Sequence, residues 1–338
     1  MERAKNYKKI MNLEQNHQSQ KVELIRHSGE LLNLLKREIS KIVVGNHDVI
    51  ESIIIAILCN GHILLEGVPG VAKTTMIKAL ADSLNFSFKR IQFTPDLLPS
   101  DVIGTLIYNQ KTQSFETKQG PIFANIVLAD EINRAPAKVQ SALLEAMQEQ
   151  QVTIGNETFA LPKPFFVFAT QNPIEQEGTY QLPEAQLDRF MFKINVTYPN
   201  KVDEKQILYK NNLNQTIVPV LNDADILQAQ KLVNDIYIDE KITDYIIEIV
   251  HTTRYATNLE KLSNLIAMGV SPRASLAIYH ASKAHALLAG RYFVTPEDVK
   301  QVAPQVLRHR LILSYEAQAN NVTTDQVIEL ILNNVKTP

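Results

Sequence analysis

The feature that most restricts what this chain can fold into is a glycine-rich turn, Gly67-Val68-Pro69-Gly70-Val71-Ala72-Lys73-Thr74. It sits between the apolar run Ile63-Leu64-Leu65 and a helix-compatible stretch beginning near Lys73. A turn of this kind entering a helix aims several backbone N–H groups and the positive end of the helix dipole at one point, where a polyanionic phosphate can be held. Lys73 then reaches the β- and γ-phosphates, the Thr74 hydroxyl ligates Mg²⁺, and Thr75 lies in the same first turn. The strict pattern has glycine at position 72. Alanine suits the loop if that residue already has right-handed helical φ/ψ, and does not suit it if φ must be positive. Taken alone, the segment also reads as a Gly-Pro turn between strand and helix, so its neighbours decide.

Those neighbours alternate. The runs His62 to Glu66, Phe86 to Phe93, Ile126 to Ala129 and Phe165 to Ala169 are short and apolar or β-branched, and segments of helical spacing separate them. This argues for a parallel sheet covered on both faces. From about Gln20 to Ser40 leucines recur among charges as in a leading helix. Asn46 or Asp48 can cap a second helix that runs to Leu58. In the stretch from Pro136 to about Glu149, Val139, Ala142, Leu143, Ala146 and Met147 share one helical face, with Pro136 suited to the first turn. Two stretches interrupt the alternation in the manner of hairpins: Ile103 to Gln119, centred on Gln110-Lys111-Thr112, and Gln151 to Leu161, turning at Gly155-Asn156. After Tyr198-Pro199 strands vanish and helical spacing dominates, as in Ile242 to Tyr255, Ala274 to Leu288 and Gln326 to Val335.

At 338 residues the chain is too long for one small core. With 34 basic and 36 acidic residues it lacks the strong positive charge of a dedicated nucleic-acid binder, so no nucleic acid is expected as partner. The stretch from Met1 to Lys21 has no apolar core of the kind a secretory signal requires. The longest apolar run, Ile53 to Cys59, stops at Asn60-Gly61-His62, so a cytoplasmic protein without a membrane span is expected. A single cysteine, Cys59, excludes an internal disulfide and a cysteine zinc site, and reads as a small hydrophobe on a buried helix face. His62, His280 and His309 show no metal-ligand spacing.

Ile126 to Ala129 leads into two adjacent carboxylates, Asp130 and Glu131, which point differently at a strand end and can take different tasks. Asp130 would hold the Mg²⁺ shell and Glu131 would polarise the attacking water. By itself such a pair also serves as a helix cap or a solvated pair. Asn172, in Thr170-Gln171-Asn172-Pro173, could hold the same water if its strand neighbours that of Asp130; otherwise it is a turn residue. Arg189 and Arg273 offer forked donors that match phosphate oxygens, yet each alone also reads as a surface ion pair.

Taken in order, Gly67 to Thr74, Leu128 to Ala135, Ala169 to Pro173, Glu184 to Phe190 and Ser271-Pro272-Arg273 resemble the MoxR family of AAA+ ATPases. The likeness runs from about Val43 to about Leu313 and includes Phe93 to Asp101. That family also carries alanine before the loop lysine. The resemblance implies a P-loop α/β core, its parallel sheet sandwiched by helices, over 41–198 with two hairpin inserts (about 103–119 and 151–161). An N-terminal extension (1–40) would precede it and an all-α lid (199–338) would follow. It implies that Lys73 and Thr74 belong to Walker A, Asp130 and Glu131 to Walker B and Asn172 to sensor 1. Arg189 would be the arginine finger and Arg273 the sensor 2 arginine, while Val44-Gly45 would lie against the adenine. It further implies ATP with Mg²⁺ and a homo-oligomeric ring, usually a hexamer, in which the finger serves a neighbour's nucleotide. Client proteins, including von Willebrand factor A domain proteins, would be the partners. A nucleotide-gated binding switch with little turnover, or a nucleic-acid motor, would share the same core residues.

Overall fold

In the computed structural model, five parallel strands carry the site: β1 (Ile63–Glu66), β2 (Phe88–Gln92), β5 (Ile126–Asp130), β8 (Phe166–Gln171) and β9 (Phe192–Asn195), in the order β2-β5-β8-β1-β9. The structure describes residues 2–173, 178–210, 216–255, 262 and 264–338, with side chains in the first helix described from residue 19 onward. The inner strands β1, β5 and β8 are apolar up to their C-terminal ends because both their faces are covered. Ile63, Leu65, Ile126, Leu128, Phe166 and Phe168 pack into one core, and Leu64, Val127, Ala129, Val167 and Ala169 into the other. The four strands expected from sequence are all present. The fifth, β9, has a different signature: Phe192 and Ile194 are buried while Lys193 and Asn195 are more exposed, the alternation of an edge strand.

Helix α1 (Glu2–Ile42) extends beyond the span that its leucines suggest. It packs on α2 (His47–Leu58) and α3 (Lys73–Ser83). Asn46 precedes α2 in the left-handed conformation and makes no side-chain cap bond. Between β2 and β5 come α4 (Pro99–Ile103) and the hairpin β3 (Gly104–Asn109) with β4 (Ser114–Gln119). Between β5 and β8 come a 3₁₀ turn (Ile132–Arg134), α5 (Ala137–Glu149) and the hairpin β6 (Gln151–Ile154) with β7 (Glu157–Ala160). Both hairpins fall where the alternation places them.

A short helix α6 (Glu184–Leu187) leads into β9, and α7 (Lys201–Lys210) follows it. The C-terminal part comprises α8 (Asp223–Asp235), α9 (Glu240–Arg254), α10 (Pro272–Leu288), α11 (Pro296–Leu307), α12 (Tyr315–Ala319) and α13 (Thr324–Asn334). One antiparallel ribbon interrupts the helices, β10 (Ile266–Met268) with β11 (Ile312–Leu313); strands this short carry no legible periodicity. Helix α10 is the centre of this part and touches α1 and α2 as well as α8, α9 and α11. Among the described residues no helix is long and apolar enough to cross a membrane.

Candidate functional site

The turn after β1 fits a phosphate. Gly70 has φ +84 and open space where a Cβ would stand, while a Cβ on Gly67 would come within 2.5 Å of the Val196 carbonyl oxygen. Met76 is the first residue of α3 whose amide finds a helical acceptor, the Ala72 carbonyl at 2.9 Å. The amides before it, from Gly70 on, donate to no group among the described residues, so they are the orphan donors of a helix N-terminus. Ala72 itself has φ 60 and ψ 23. Position 72 therefore is left-handed, the conformation that favours glycine, and alanine occupies it all the same.

Lys73 is half-buried and donates to the Gly67 carbonyl. Burial pulls its pKa down, and Asp130, Glu131 and Glu66 act against that pull. Its ammonium thus stands in the field of three carboxylates at the C-terminal edge of the sheet, the edge at which open α/β sheets bind ligands.

Asp130 ends β5 in a buried position. Thr170 from β8 donates its hydroxyl to Asp130 Oδ1 at 2.6 Å and accepts the Glu131 amide at 2.8 Å. The other carboxylate oxygen, Oδ2, accepts from Arg90 through Nε at 2.9 Å and a terminal nitrogen at 2.6 Å. Glu131 lies at φ 57, ψ 51, an uncommon conformation for a residue with a side chain. Gln92 donates to its Oε2 at 2.8 Å, and Arg134 stands 3.2 Å from the same oxygen. Strands β5 and β8 are direct neighbours, with Ala129 opposite Ala169, so the condition for Asn172 is met: it follows β8 beside the carboxylates and is buried. Thr74 and Asp130 supply the hydroxyl and carboxylate oxygens that Mg²⁺ prefers.

Val44 is buried and Gly45 has φ +70; a Cβ there would meet Asp203 Oδ2 at 2.6 Å. Because α7 follows β9 from the same sheet edge, Val44, Gly45 and Asp203 belong to the phosphate-loop side of the molecule.

Arg189 and Arg273 do not. Strand β9 runs parallel to β1 with Phe192 opposite Ile63 and Asn195 opposite Glu66, so Arg189, before β9, stands at the N-terminal edge. The phosphate loop begins at the other edge, a strand length of roughly 13 Å away at about 3.3 Å per residue. Arg273 is held at Asp188, the residue before Arg189: its guanidinium is 3.1 Å from Asp188 Oδ2, and the Ser271 hydroxyl is 3.3 Å from the same oxygen. Arg189 is exposed, donates to the Leu144 carbonyl at 3.0 Å, and lines a cavity of about 310 Å³ with Ser141, Glu145 and Gln148. Among the described residues neither arginine hydrogen-bonds the phosphate loop of its own chain.

Residues 62–192 match the family described as ATPase family associated with various cellular activities (AAA), and residues 261–331 match the AAA lid domain. Chaperone MoxR1 of Mycobacterium tuberculosis is 48% identical over 89% of this chain and 81% of its own length. YeaC of Bacillus subtilis is 47% identical over 91% of this chain and 95% of its own. The chain belongs to the MoxR family of AAA+ ATPases. A crystal structure of a candidate ATPase from Cytophaga hutchinsonii superposes with a TM-score of 0.88 at 47% identity, covering 96% of this chain and 99% of that one.

Within this MoxR-family frame, several polar residues at the site escaped the sequence reading. Arg90 and Gln92 sit on edge strand β2, where alternate charged residues look like solvated positions. Only the pairing of Arg90 with Leu128 and of Gln92 with Asp130 brings both beside the acids. Thr170 carried a signal, adjacency to Asn172, but its bridging role depends on strand register.

Proposed function

We propose that this chain binds ATP with Mg²⁺ at the Gly67–Thr74 loop and hydrolyses it in a homo-oligomeric ring, a hexamer in the usual family arrangement, to remodel or assemble partner proteins. The observation that carries this reading is the split of the candidate residues between two edges of one sheet. Lys73, Thr74, Asp130, Glu131 and Asn172 gather at one edge, and Arg189 and Arg273 stand at the other. A cation a strand length from its own phosphate loop serves that loop poorly, which supports its action on a neighbour's nucleotide.

Bound ATP would supply the phosphoryl group, and Mg²⁺ would neutralise its oxygens. In this reading the amides from Gly70 to Thr74 and the Lys73 ammonium bind the phosphates, while Thr74 and Asp130 hold the metal. Glu131 orients a water and takes its proton, with Asn172 as second anchor. Arg189 and Arg273 of an adjacent subunit stabilise charge in the transition state, an effect of roughly 10³ to 10⁵ in rate for arginine fingers. A subunit alone therefore binds nucleotide and turns it over slowly.

The client reading draws support from the name of the mycobacterial relative, and a von Willebrand factor A domain partner from family resemblance alone. One observation favours the switch reading as the second choice: Asp130 and Glu131 are both engaged, by Arg90 and by Gln92 with Arg134. The two readings part at Glu131→Gln. An ATPase loses phosphate release while calorimetry still shows ATP uptake, and Lys73→Ala loses the uptake itself. A glutamine variant with unchanged steady-state hydrolysis would remove Glu131 as the base.

A further inference from the structure

Arg310 follows α11 and is only 4% exposed. A guanidinium has five N–H donors, and a buried one is tolerated where they are satisfied. Here Nε donates to Asp188 Oδ1 at 2.7 Å, and one terminal nitrogen to the carbonyls of Met191 at 3.1 Å and Val306 at 2.5 Å. The other donates to the carbonyls of Asp188 at 3.2 Å and Phe190 at 2.7 Å. Five donors meet five acceptors, and four of these lie on residues 188–191, on both sides of Arg189. The two residues before it reinforce the grip: His309 bonds the Phe190 carbonyl at 2.9 Å and Arg308 the Lys193 carbonyl at 2.7 Å. Asp188, the one charged acceptor, also holds Arg273.

Burial of a charged pair gives little net stability compared with apolar packing of equal volume. What the planar fork adds is geometry, because it fixes four acceptors of a tight turn relative to one plane. We infer that Arg310, with Asp188, is a positioning residue for Arg189, through which the C-terminal helical part sets where the turn carrying Arg189 points. The inference rests on the ring reading above, and it concerns the subunit that donates the arginine rather than the one that binds the nucleotide.

Mixed assemblies of full-length chains test it. Lys73→Ala subunits can only donate and Arg189→Ala subunits can only accept, so their mixture should hydrolyse ATP. Adding Arg310→Lys to the donor should cut that activity about tenfold or more, since ångström misplacement of a catalytic group costs up to about 10²-fold. Adding Arg310→Lys to the acceptor should leave it within about twofold, and Arg310→Lys alone should lower kcat with KM for ATP little changed. A merely structural role would weaken both sides alike. Equal activity of the two donors, or equal loss on both sides, overturns the inference. Failure of the plain Lys73→Ala and Arg189→Ala mixture overturns the ring reading and the inference with it. If Arg310→Lys does not fold, the isosteric Asp188→Asn in the donor takes its place: a several-fold donor-side loss supports the inference, and parity overturns it.

Discussion

Ala72 shows how a single residue can depart from its local rule. At φ 60 it bears a cost on the order of 1–2 kcal/mol for a side chain in the left-handed region. A β-branched side chain fits there worse than a methyl group. Ala72→Val should therefore lower the melting temperature and weaken nucleotide binding together. Ala72→Gly relieves the strain but adds freedom to the unfolded chain, so its stability should stay within about 1 kcal/mol of the parent by thermal melting. Glu131 is strained in the same sense, and the hydrogen bond from its backbone N–H to the Thr170 hydroxyl holds it there. Lys73, Thr74, Asp130 and Glu131 could be proposed as a set because each chemistry demands few residue types at a fixed offset from a strand. The conformation at position 72 was not, since alanine carries no mark of positive φ.

Among the elements, α1 and α10 cross where a side chain has no room. A Cβ on Gly29 would stand 2.8 Å from Gly290 Cα and 2.9 Å from the Leu287 carbonyl, both backbone. Asn33 closes the contact with bonds to the Gly29 and Leu288 carbonyls at 2.8 and 3.0 Å. Gly29→Ala should cost about 1–3 kcal/mol in urea unfolding, the range for overpacked contacts. Nearby, His285 of α10 meets Asp298 of α11 at 2.5 Å and Glu51 of α2 at 3.3 Å, while Lys36 of α1 also pairs with Glu51. Burial alone would lower the His285 pKa, but the bonds to Asp298 and Glu51 outweigh it and raise it to about 9. Glu51, bonded chiefly by His285, falls to about 2. Protonated His285 stabilises the fold fully below its ordinary value near 6.5, and that contribution is lost as pH rises through 9. Ionised Glu51 stabilises above about 4.5, and that contribution is lost as pH falls through 2. Chemical denaturation across pH should show a plateau from about pH 5 to 6.5, with the high-pH decline absent in His285→Gln. None of this joint was visible beforehand, because it joins two helix pairs, α1 with α2 and α10 with α11, that lie far apart in sequence.

At the scale of the whole molecule, the candidate residues divide between the two edges of the sheet. Because Arg273 stands with Asp188 and Arg189, Arg273→Ala should behave as a donor defect: mixed with Lys73→Ala subunits it should regain ATP hydrolysis, and phosphate release across a mixing series measures this. No regain at any ratio would return Arg273 to its own chain's nucleotide. The sequence by itself determined the α/β core, the phosphate loop, the acidic strand end, both hairpins and the change to helices after Tyr198-Pro199. These follow from residue types at short range, where periodicity and turn chemistry act between neighbours in the chain. Only the tertiary structure decided which edge each arginine occupies, which β2 residues reach the acids, and that Arg310 holds the turn around Arg189. Those relations depend on strand order and helix docking, which bring together residues up to 122 positions apart through contacts that no local pattern encodes.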